Sequence, residues 1–288
     1  MKKFALLLFF TLLLSVSTIS FAETTPTEYI SGSFTYILLE DGTAKITNYS
    51  GSDKILDIPY ELDGNTITAI GDSAFYYRKS LSSVSIPDTI VSLGNNPFTY
   101  CAQLTRIYVS PDHPTLATID GALYDKTEKR LVTCYNLQTE QTYSVPQGVL
   151  IIGDNAFAFH QSLTSVSIPD SVITIGNSAF ANCYALESVT FAPNSRVTTI
   201  GKEAFASCTH LTSITIPENV VSIADGAFAF CEPLRELSIP NSVTYMGENV
   251  FNGCKYLTLS VNRGSFTADY AKENKIPHAY PDSLDWLN

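Results

Sequence analysis

The stretch from Ile168 to Thr190, IPDSVITIGNSAFANCYALESVT, contains a pattern that the rest of the chain repeats. It reads I-P-x-x-V-x-x-I-G-x-x-A-F-x-x-C-x-x-L-x-x-V-x, and it recurs with the same length and spacing from Ile216 to Ser238, with Ala224 in place of the glycine and Leu237 in place of the last valine. The coil that begins at Phe191 is slightly longer. Self-similarity at such a short fixed period is typical of a solenoid, in which each repeat forms one coil. Further Ile-Pro or Val-Pro pairs begin coils at Ile58, Ile86, Val145 and Ile239.

A phenylalanine, and a cysteine one turn after it, recur at fixed positions of the coil. A single coil is too small to bury its own apolar face, so neighbouring coils must stack and share a core. We expect the phenylalanines to fill that core and the cysteines to form a second column beside them. The structural repeat core therefore consists of Phe75, Phe98, Phe157, Phe180, Phe205, Phe228 and Phe251, with Cys101, Cys183, Cys208, Cys231 and Cys254.

The cysteine column predicts reduced thiols. Stacked coils keep their Cβ atoms about 4.8 Å apart, which exceeds the ~3.5–4.5 Å that a disulfide needs. A zinc site needs four converging ligands, which a straight column does not supply. We therefore expect buried thiols that act as small apolar side chains. Cys134 lies outside the column and has no obvious partner in the sequence.

Three local patterns predict the backbone of a coil. Leu211, Ile214 and Ile216 show the alternation of a half-buried strand. The glycine after the repeat isoleucine predicts a corner with positive φ. The Ala-Phe-x-x-Cys stretch predicts a short helical turn. The predicted fold is therefore a β-rich α/β solenoid with stacked short parallel strands and short helical turns.

The repeat closely resembles that of the BspA-like bacterial leucine-rich repeat proteins, which carry the type 5 repeat. Tyr36–Ala44, followed by Ile58-Pro59, resembles the opening of this family, and Ile119–Tyr124 resembles its inserted variant unit. The tail, with Tyr270-Ala271 and Asp285–Leu287, resembles its closing segment. The resemblance implies a right-handed leucine-rich repeat coil with an N-terminal hairpin cap and a C-terminal helix cap.

These patterns divide the chain into four parts. Residues 1–22 are predicted to be a signal peptide, 23–57 an N-terminal cap, 58–262 the solenoid and 263–288 a C-terminal cap. Within the solenoid, residues 109–145 replace a regular coil, and we refer to them as the variant unit.

The caps and the variant unit have predicted shapes. Asp41-Gly42 is a strong turn dipeptide and predicts a hairpin in the N-terminal cap. In the variant unit, two strand-like runs flank the charged turn Asp125–Arg130, and we expect a hairpin that projects from one edge. Residues 266–274 are predicted to form a short helix over the C-terminal end, with Trp286 folding back.

The N-terminal segment, residues 1–22, has the features of a secretory signal. Lys2 and Lys3 precede the apolar run Phe4–Leu14, and Ser20-Phe21-Ala22 supplies the small residues of a cleavage site. We predict cleavage after Ala22 and a secreted or extracellular-surface location. No later stretch is long and apolar enough to cross a bilayer, so no membrane insertion is expected after the signal is removed.

The composition excludes several classes of protein. Hydrophobic residues make up 45% of the chain and charged residues only 16%, which excludes an intrinsically disordered chain. The formal net charge is −11, from 17 basic and 28 acidic residues. A duplex-binding protein needs a basic face to neutralise phosphates, so no nucleic acid is a predicted partner. An anionic membrane surface is disfavoured for the same reason.

The sequence contains no motif of a common catalytic or metal site. Its four histidines lie outside metal-binding spacings, and no nucleophile elbow, P-loop or dinucleotide fingerprint is present. A pair of His160 and Cys183 is geometrically possible, but it would lie inside the column and away from substrate. We therefore predict a protein that is not an enzyme and that has no cofactor and no metal.

Short polar residues, many of them acidic, recur directly after Ile-Gly, as at Asp72 and Asp154. Two interpretations are open. The side chains either satisfy free backbone N–H groups beside the turn or hold a ladder of calcium ions. Lys202 interrupts the column and each coil supplies one ligand, so turn chemistry is favoured.

Two surfaces are candidates for binding. The outward positions of the strands carry small hydroxyls, which either tolerate stacked strands or form a flat face for a glycan or an extended polar partner. This hydroxyl face is predicted from Ser83, Ser85, Ser165, Ser167, Ser188, Thr190, Ser213, Thr215 and Ser238. Aromatic residues near the repeat phenylalanine either pack on neighbouring coils or form an exposed contact strip. This strip consists of Tyr76, Tyr77, Tyr100, Phe159 and Phe230.

The sequence therefore predicts a non-enzymatic, secreted or surface-associated binding protein that recognises a protein or a glycan through a solenoid face. BspA-like proteins include surface adhesins, so the resemblance implies adhesion to host matrix proteins or to other cells. The alternative is a cell-envelope scaffold that self-associates or binds wall glycan.

Overall fold

The computed structural model of the protein describes residues 26–135 and 141–281. The predicted signal peptide and the predicted position of Trp286 lie outside the described residues. Within the two described ranges, no helix has the length and apolar character that a bilayer crossing requires.

Short strands joined by turns make up most of the described chain. The N-terminal part contains β1 (Glu28–Ser31), β2 (Phe34–Leu38), β3 (Ala44–Tyr49), β4 (Ile55–Asp57), β5 (Glu61–Leu62), β6 (Asn65–Ile70), β7 (Ser83–Ile86), β8 (Ser92–Leu93) and β9 (Arg106–Val109). The variant unit contains β10 (Leu116–Ile119), β11 (Ala122–Asp125), β12 (Arg130–Cys134) and β13 (Thr142–Ser144). The remaining coils contain β14 (Ile151–Ile152), β15 (Ser165–Ile168), β16 (Thr174–Ile175), β17 (Ser188–Phe191), β18 (Thr199–Ile200), β19 (Ser222–Ile223), β20 (Glu236–Ser238), β21 (Tyr245–Met246) and β22 (Thr258–Ser260), followed by α1 (Phe266–Glu273) and β23 (His278–Ala279).

Two columns of parallel strands run along the solenoid. The longer strands form the sheets β4-β7-β9, β13-β15-β17 and β20-β22-β23, and the shorter strands form the parallel series β12-β14-β16-β18-β19-β21. In the register of β15 and β17, Val166 lies beside Val189 and Ser167 beside Thr190. Equivalent repeat positions therefore align from coil to coil, and the predicted solenoid of stacked parallel strands is confirmed.

The Ala-Phe segments form a third column, made of turns. The backbone N–H of Phe157 donates to the carbonyl oxygen of Ala179 in the next coil (2.7 Å), and the N–H groups two positions before and after it make equivalent bonds. The residues at these two flanking positions have positive φ, as at Ser178 (52°) and Asn182 (60°). This left-handed backbone cannot continue a helix, so the segments are single turns and not the helical turns that the sequence predicts.

The repeat phenylalanines form the centre of the core. The rings of Phe157, Phe180 and Phe205 are stacked, with centroid distances of 4.9 and 5.1 Å. Tyr49 takes the same position in the first coil, because its N–H donates to Ala74 (2.8 Å) and its ring contacts Phe75. The column lets each coil bury its largest side chain against the next one.

The glycines of the Ile-Gly pairs have a different role from the one that the sequence predicts. Gly153, Gly176 and Gly201 do not have positive φ. A Cβ added to Gly201 would lie 2.6 Å from the carbonyl carbon of Gly176, and one added to Gly153 would lie 2.7 Å from the carbonyl oxygen of Leu131. Glycine therefore suits these positions because the backbones of adjacent coils approach closely here, although Ala224 occupies the equivalent position in one coil.

The column cysteines are free thiols. Each thiol donates to the carbonyl oxygen of the repeat phenylalanine in the preceding coil, as from Cys183 to Phe157 and from Cys231 to Phe205 (both 3.0 Å). Burial raises the pKa of Cys101 to about 11 and those of Cys183 and Cys254 to about 12. The thiols thus act as small buried side chains with one weak donor each.

Both ends of the solenoid carry the predicted caps. Strands β1, β2 and β3 form an antiparallel meander, and Asp41-Gly42 lies in the turn between β2 and β3. At the other end, Ser265 caps α1 by accepting a hydrogen bond from the N–H of Ala268 (3.1 Å). The hydroxyl of Tyr270 donates to the carbonyl oxygen of Gly247 (3.1 Å), which ties the helix to the last coils.

The variant unit contains the predicted hairpin, but the hairpin does not project. Every residue of β11 and β12 is buried, and β12 continues the column of short strands through its pairing with β14. Leu123 and Val132 pack into the N-terminal part of the core, whereas Tyr124 and Leu131 pack into the C-terminal part. The hairpin is a partition with a core on each side, which explains why its sequence is apolar without alternation.

Arg130 joins the two parts of the solenoid at this partition. Its side chain is 9% exposed, and its guanidinium donates to the carbonyl oxygens of Leu93 (2.8 Å) and Gly94 (3.3 Å) at the end of β8. The Nε–H of the same group donates to Glu128 (2.6 Å). In regular coils, the backbone of the next coil donates hydrogen bonds to the carbonyl groups at the end of a short strand. At the end of β8, the side chain of Arg130 donates them instead.

The free thiols lead to a first prediction. All five column cysteines should react with iodoacetamide after denaturation without reductant, and they should react slowly in the folded protein at pH 8, as measured by intact mass. The unfolding free energy should also depend on pH. The folded pKa values of Cys101, Cys183 and Cys254 lie above the ordinary value of 9.0, so this stabilisation is full below about pH 9 and is lost as the pH rises toward 12. Fewer than five modified column cysteines would contradict the prediction.

Arg130→Met should lower the unfolding free energy by about 2–4 kcal/mol, because it leaves two buried carbonyl groups and Glu128 without their partner. Urea unfolding followed by circular dichroism measures the change. Arg106→Met is the matched control, since Arg106 is exposed on β9, and it should change the value by less than about 0.5 kcal/mol. Equal effects of the two substitutions would show that Arg130 does not join the two parts.

Candidate functional site

The predicted hydroxyl face lies on the outer side of the long strands. Ser167 and Thr190 are exposed, whereas Ser165 and Ser188 are half-buried. Some of the hydroxyls are used within the face: Ser167 donates to Ser144 (3.2 Å), and Thr190 donates to the carbonyl oxygen of Val166 (3.3 Å). The remaining members are Ser83 and Ser85, which are half-buried, and Ser213, Thr215 and Ser238, which are exposed.

The face is less regular than the sequence suggests. In the register of β7 and β9, Arg106 lies beside Ser83 and Tyr108 lies beside Ser85, and Tyr108 is 62% exposed. The predicted strand over Leu211–Ile216 is absent as a paired strand, although Ile214 and Ile216 are buried as predicted. This interruption follows the longer coil, whose strand β17 extends to Phe191.

Four of the five predicted aromatic residues form one cluster. Tyr76 and Tyr77 are 47% and 49% exposed, and the centroid distances from Tyr76 to Tyr77 and to Tyr100 are 6.0 and 5.2 Å. Tyr100 packs on Phe159 in the next regular coil, with ring centroids 3.6 Å apart. We call these four residues the aromatic cluster. Phe230, which is 52% exposed, is not in contact with them.

The aromatic residues sit on strained backbone. Tyr77, Tyr100 and Phe159 have φ values of 58°, 64° and 66°. Other coils place Asn182, Ser207, Phe230 and Gly253 at this left-handed position, of which asparagine and glycine tolerate it well. A bulky aromatic residue there costs roughly 1–2 kcal/mol of local strain, and such outliers are concentrated at functional sites.

A cleft opens beside the aromatic cluster because one coil lacks its repeat phenylalanine. Counting back one regular coil from Phe157 leads to Cys134, whose N–H donates to Ala156 (2.8 Å), as the N–H of a repeat phenylalanine does in other coils. A small side chain therefore stands between Phe98 and Phe157. The result is a cavity of about 770 Å³ with Tyr77, Phe98, Tyr100, Tyr135, Phe159 and His160 among its lining residues.

The cleft differs in charge from the rest of the molecule. Its described lining contains no aspartate or glutamate, although the chain has 28 acidic residues. Lys79 is the one charged side chain of that lining, and its ammonium lies 4.5 Å from the centre of the Tyr77 ring. Burial lowers the pKa of His160 to about 4, so this imidazole is neutral at pH 7. The described lining therefore carries a single positive charge.

Sequence reasoning missed several residues of the cleft. Lys79, Gln103, Tyr135 and Gln161 line it, and none of them occupies a fixed position of the repeat pattern. The sequence did contain one sign of the cleft. The position one regular coil before Phe157 holds Cys134 and not a phenylalanine. That position marks a coil whose core site holds a small residue, and hence a gap beside it.

The acidic residues that follow the repeat isoleucine-glycine position accept hydrogen bonds from backbone N–H groups, as the turn interpretation predicts. Asp72 accepts a hydrogen bond from the N–H of Asn95 in the next coil (2.8 Å), and Asp225 accepts one from the N–H of Glu248 (2.9 Å). Among the described residues, no group of three or more His, Cys, Asp or Glu side chains has the arrangement of a metal site. The oxygens of these two aspartates serve the backbone of the neighbouring coil.

The structure does not bring His160 and Cys183 into a reactive pair. His160 hydrogen-bonds through Nε2 to the carbonyl oxygen of Cys134 (2.6 Å), and the Cys183 thiol donates to Phe157. Both groups therefore use their hydrogen bonds on backbone carbonyls inside the column. This arrangement supplies no base for activating the thiol.

Comparison with known families identifies the type of repeat. A family model described as the BspA type leucine-rich repeat region matches residues 45–130 and 129–258, in six copies. The chain belongs to this family. Members of the BspA-type family carry leucine-rich repeats, and proteins built from such repeats are generally non-catalytic binding proteins. Comparison with curated proteins gives no match.

Solved structures of bacterial leucine-rich repeat proteins share this fold. A leucine-rich cell surface protein from Faecalibacterium prausnitzii A2-165 is 25% identical, with a TM-score of 0.50, over 89% of this chain and 99% of that one. A leucine-rich repeat protein from Bacteroides ovatus ATCC 8483 is 24% identical, with a TM-score of 0.51, over 88% of this chain and 67% of that one. The second likeness concerns the fold alone.

The left-handed backbone at Tyr77 leads to a prediction about stability. Tyr77→Asn should leave the unfolding free energy within about 1 kcal/mol of the wild type, because asparagine tolerates positive φ. Tyr77→Val should be less stable than Tyr77→Asn by about 1–2 kcal/mol, since a β-branched residue is disfavoured there. Urea unfolding of the two variants measures the difference. A valine variant that is the more stable of the two would show that the backbone at this position is not strained.

Proposed function

We propose that the protein is a non-enzymatic binding protein, exported from a bacterial cell, that attaches the cell to host matrix or to other cells. In this proposal the signal peptide is cleaved after Ala22 and the protein acts in the extracellular space or at the cell surface. The likeness to a leucine-rich cell surface protein supports this location. The ligand is a protein or a glycan.

The observation that carries the proposal is the aromatic cluster beside the cleft. Its four rings are contiguous, two of them (Tyr76 and Tyr77) are about half exposed, and three of the four residues lie on left-handed backbone. Monomeric proteins rarely expose large contiguous apolar patches unless the patch binds something. Tyrosine is also among the residue types that contribute most to binding energy at interfaces.

The hydroxyl face is the second candidate surface. It supports the alternative function, a cell-envelope scaffold that self-associates or binds wall glycan, because it extends along several coils. Part of its hydrogen-bonding capacity is used internally, as between Ser167 and Ser144. For this reason we assign the principal binding role to the aromatic cluster.

Solid-phase binding of the chain from residue 23 to residue 288 tests the proposed function. The panel contains matrix proteins, serum proteins, glycans and wall material of the producing cell. We expect saturable binding to a host protein or a glycan, weakened about tenfold by Tyr100→Leu, which removes the ring but keeps an apolar side chain. Tyr245→Ala is the matched control, because Tyr245 is an exposed tyrosine (53%) outside the cluster.

Other outcomes of the same assay would contradict the proposal. Binding only to wall material or to the protein itself, abolished by Ser167→Arg or Thr215→Glu, would favour the scaffold and the hydroxyl face. Binding to a host ligand that Tyr100→Leu leaves unchanged would remove the aromatic cluster as the site. Absence of binding across the panel would contradict adhesion.

A further inference from the structure

We propose that the cleft beside the aromatic cluster is a carbohydrate-binding site for an oligosaccharide with a carboxylate-bearing sugar. The sugar rings lie against the aromatic side chains, and the carboxylate contacts Lys79. This inference rests on the proposed binding function and deepens it by naming the class of ligand.

The size of the cleft suits a small ligand or a segment of a chain. Its volume of about 770 Å³ falls within the range of ~300–1,000 Å³ that is typical of ligand pockets. The cleft exists because Cys134 replaces a repeat phenylalanine while Tyr100 and Phe159 still meet across the gap. The walls combine residues of regular coils, such as Phe98 and Phe159, with Thr133, Cys134 and Tyr135 of the variant unit.

The chemistry of the lining matches the two kinds of surface of a sugar. The faces of a pyranose ring carry C–H groups, which are attracted to the electron-rich faces of aromatic rings. The edges carry hydroxyl groups, which need both donors and acceptors. Gln103 and Gln161 are exposed at the cleft, and neither amide makes a hydrogen bond within the described residues. Each therefore offers two donors and one acceptor oxygen to a ligand.

The charge of the cleft points to a carboxylate. The chain as a whole has a net charge of −11, which repels anions, yet the described lining of the cleft lacks acidic side chains and contains Lys79. The Lys79 ammonium lies over the Tyr77 ring, so it can contact a carboxylate on a sugar that is stacked on the neighbouring rings. His160 is neutral and does not add to this charge.

A protein ligand is less well matched to the cleft than to the open cluster. Anchor residues of a protein partner favour pockets that are apolar and fully desolvated. This lining contains the polar residues Thr133, Gln103 and Gln161 as well as aromatic side chains. A lining that combines polar and aromatic groups suits a ligand that has both hydroxyl and C–H surfaces.

A printed oligosaccharide array tests the inference with the chain from residue 23 to residue 288. The array contains neutral hexose chains, N-acetylhexosamine chains and chains that contain uronic or sialic acids. We expect the wild type to bind carboxylate-bearing chains about tenfold more tightly than their uncharged counterparts, the scale of one charge-assisted hydrogen bond. Lys79→Gln should abolish this preference, and Tyr100→Leu should weaken binding of both kinds of chain about tenfold, the scale of losing one anchor residue.

Two control variants accompany these measurements. Lys54→Gln removes an exposed lysine, and Tyr245→Ala removes an exposed tyrosine, and neither residue lines the cleft. Both should bind as the wild type does. Lys79 is itself exposed, so Lys79→Gln should unfold at the wild-type temperature and remains informative if Tyr100→Leu is unstable.

The outcomes separate this inference from the proposed function. If no oligosaccharide binds, while a protein of the solid-phase panel binds and is lost with Tyr100→Leu, the cleft region binds a protein and the carbohydrate assignment is wrong. Carbohydrate binding that both cleft variants leave intact would also overturn the assignment, while the protein would remain a binding protein. Failure in both assays would remove the proposed function as well.

Discussion

Adjacent coils of this solenoid approach so closely at the Ile-Gly position that one added carbon atom would collide with the backbone of the coil before. A Cβ on Gly201 would lie 2.6 Å from Gly176. The pairing of the strands sets the distance between coils, and at this position that distance leaves room for glycine or, in one coil, for Ala224. The stacked phenylalanine rings, the turn hydrogen bonds from each coil to the next and the thiols that reach back to the preceding carbonyl all fit that single spacing. The coils are individually too small to be stable, so this shared spacing is what makes them one core.

The interruption of the spacing at the variant unit creates the part of the molecule that is not repetitive. The interval from Phe98 to Cys134 is longer than a regular coil, and the additional residues supply β10 and β11. The loss of the repeat interactions is offset by side chains that act as backbone substitutes. Arg130 satisfies the carbonyl groups at the end of β8, and the amide of Asn96 donates to Asn155 (2.7 Å). The contact between Tyr100 and Phe159 in the aromatic cluster also joins the coils on the two sides of the variant unit. The side chains that replace the repeat hydrogen bonds are therefore close to the candidate binding site.

The features that depend on the repeat alone could be predicted from the sequence. The position of every repeat phenylalanine, the inward isoleucines and the columns of cysteines follow from the period, because stacking imposes the same environment on each copy. Features that depend on a neighbouring coil were not predictable in the same way. The predicted φ of Gly201 was wrong because the glycine is required by the backbone of Gly176, and the predicted projection of the β11–β12 hairpin was wrong because both its faces meet a core. Lys79 and Gln103 line the cleft together with Cys134, which lies where the regular period would place a phenylalanine.

The left-handed position two residues after the repeat phenylalanine connects stability with binding. Asn182 and Gly253 occupy it with little strain, and both leave the surface of their coils without a large side chain. Tyr77, Tyr100 and Phe159 occupy it with strain, and their rings form a continuous surface beside the cleft. Folding alone does not require aromatic residues there, since other coils fold with small residues at the same place. Phe230 has the same left-handed backbone (φ 60°) outside the cluster, so strain alone does not mark a binding site. What distinguishes Tyr77, Tyr100 and Phe159 is that their rings form one continuous surface.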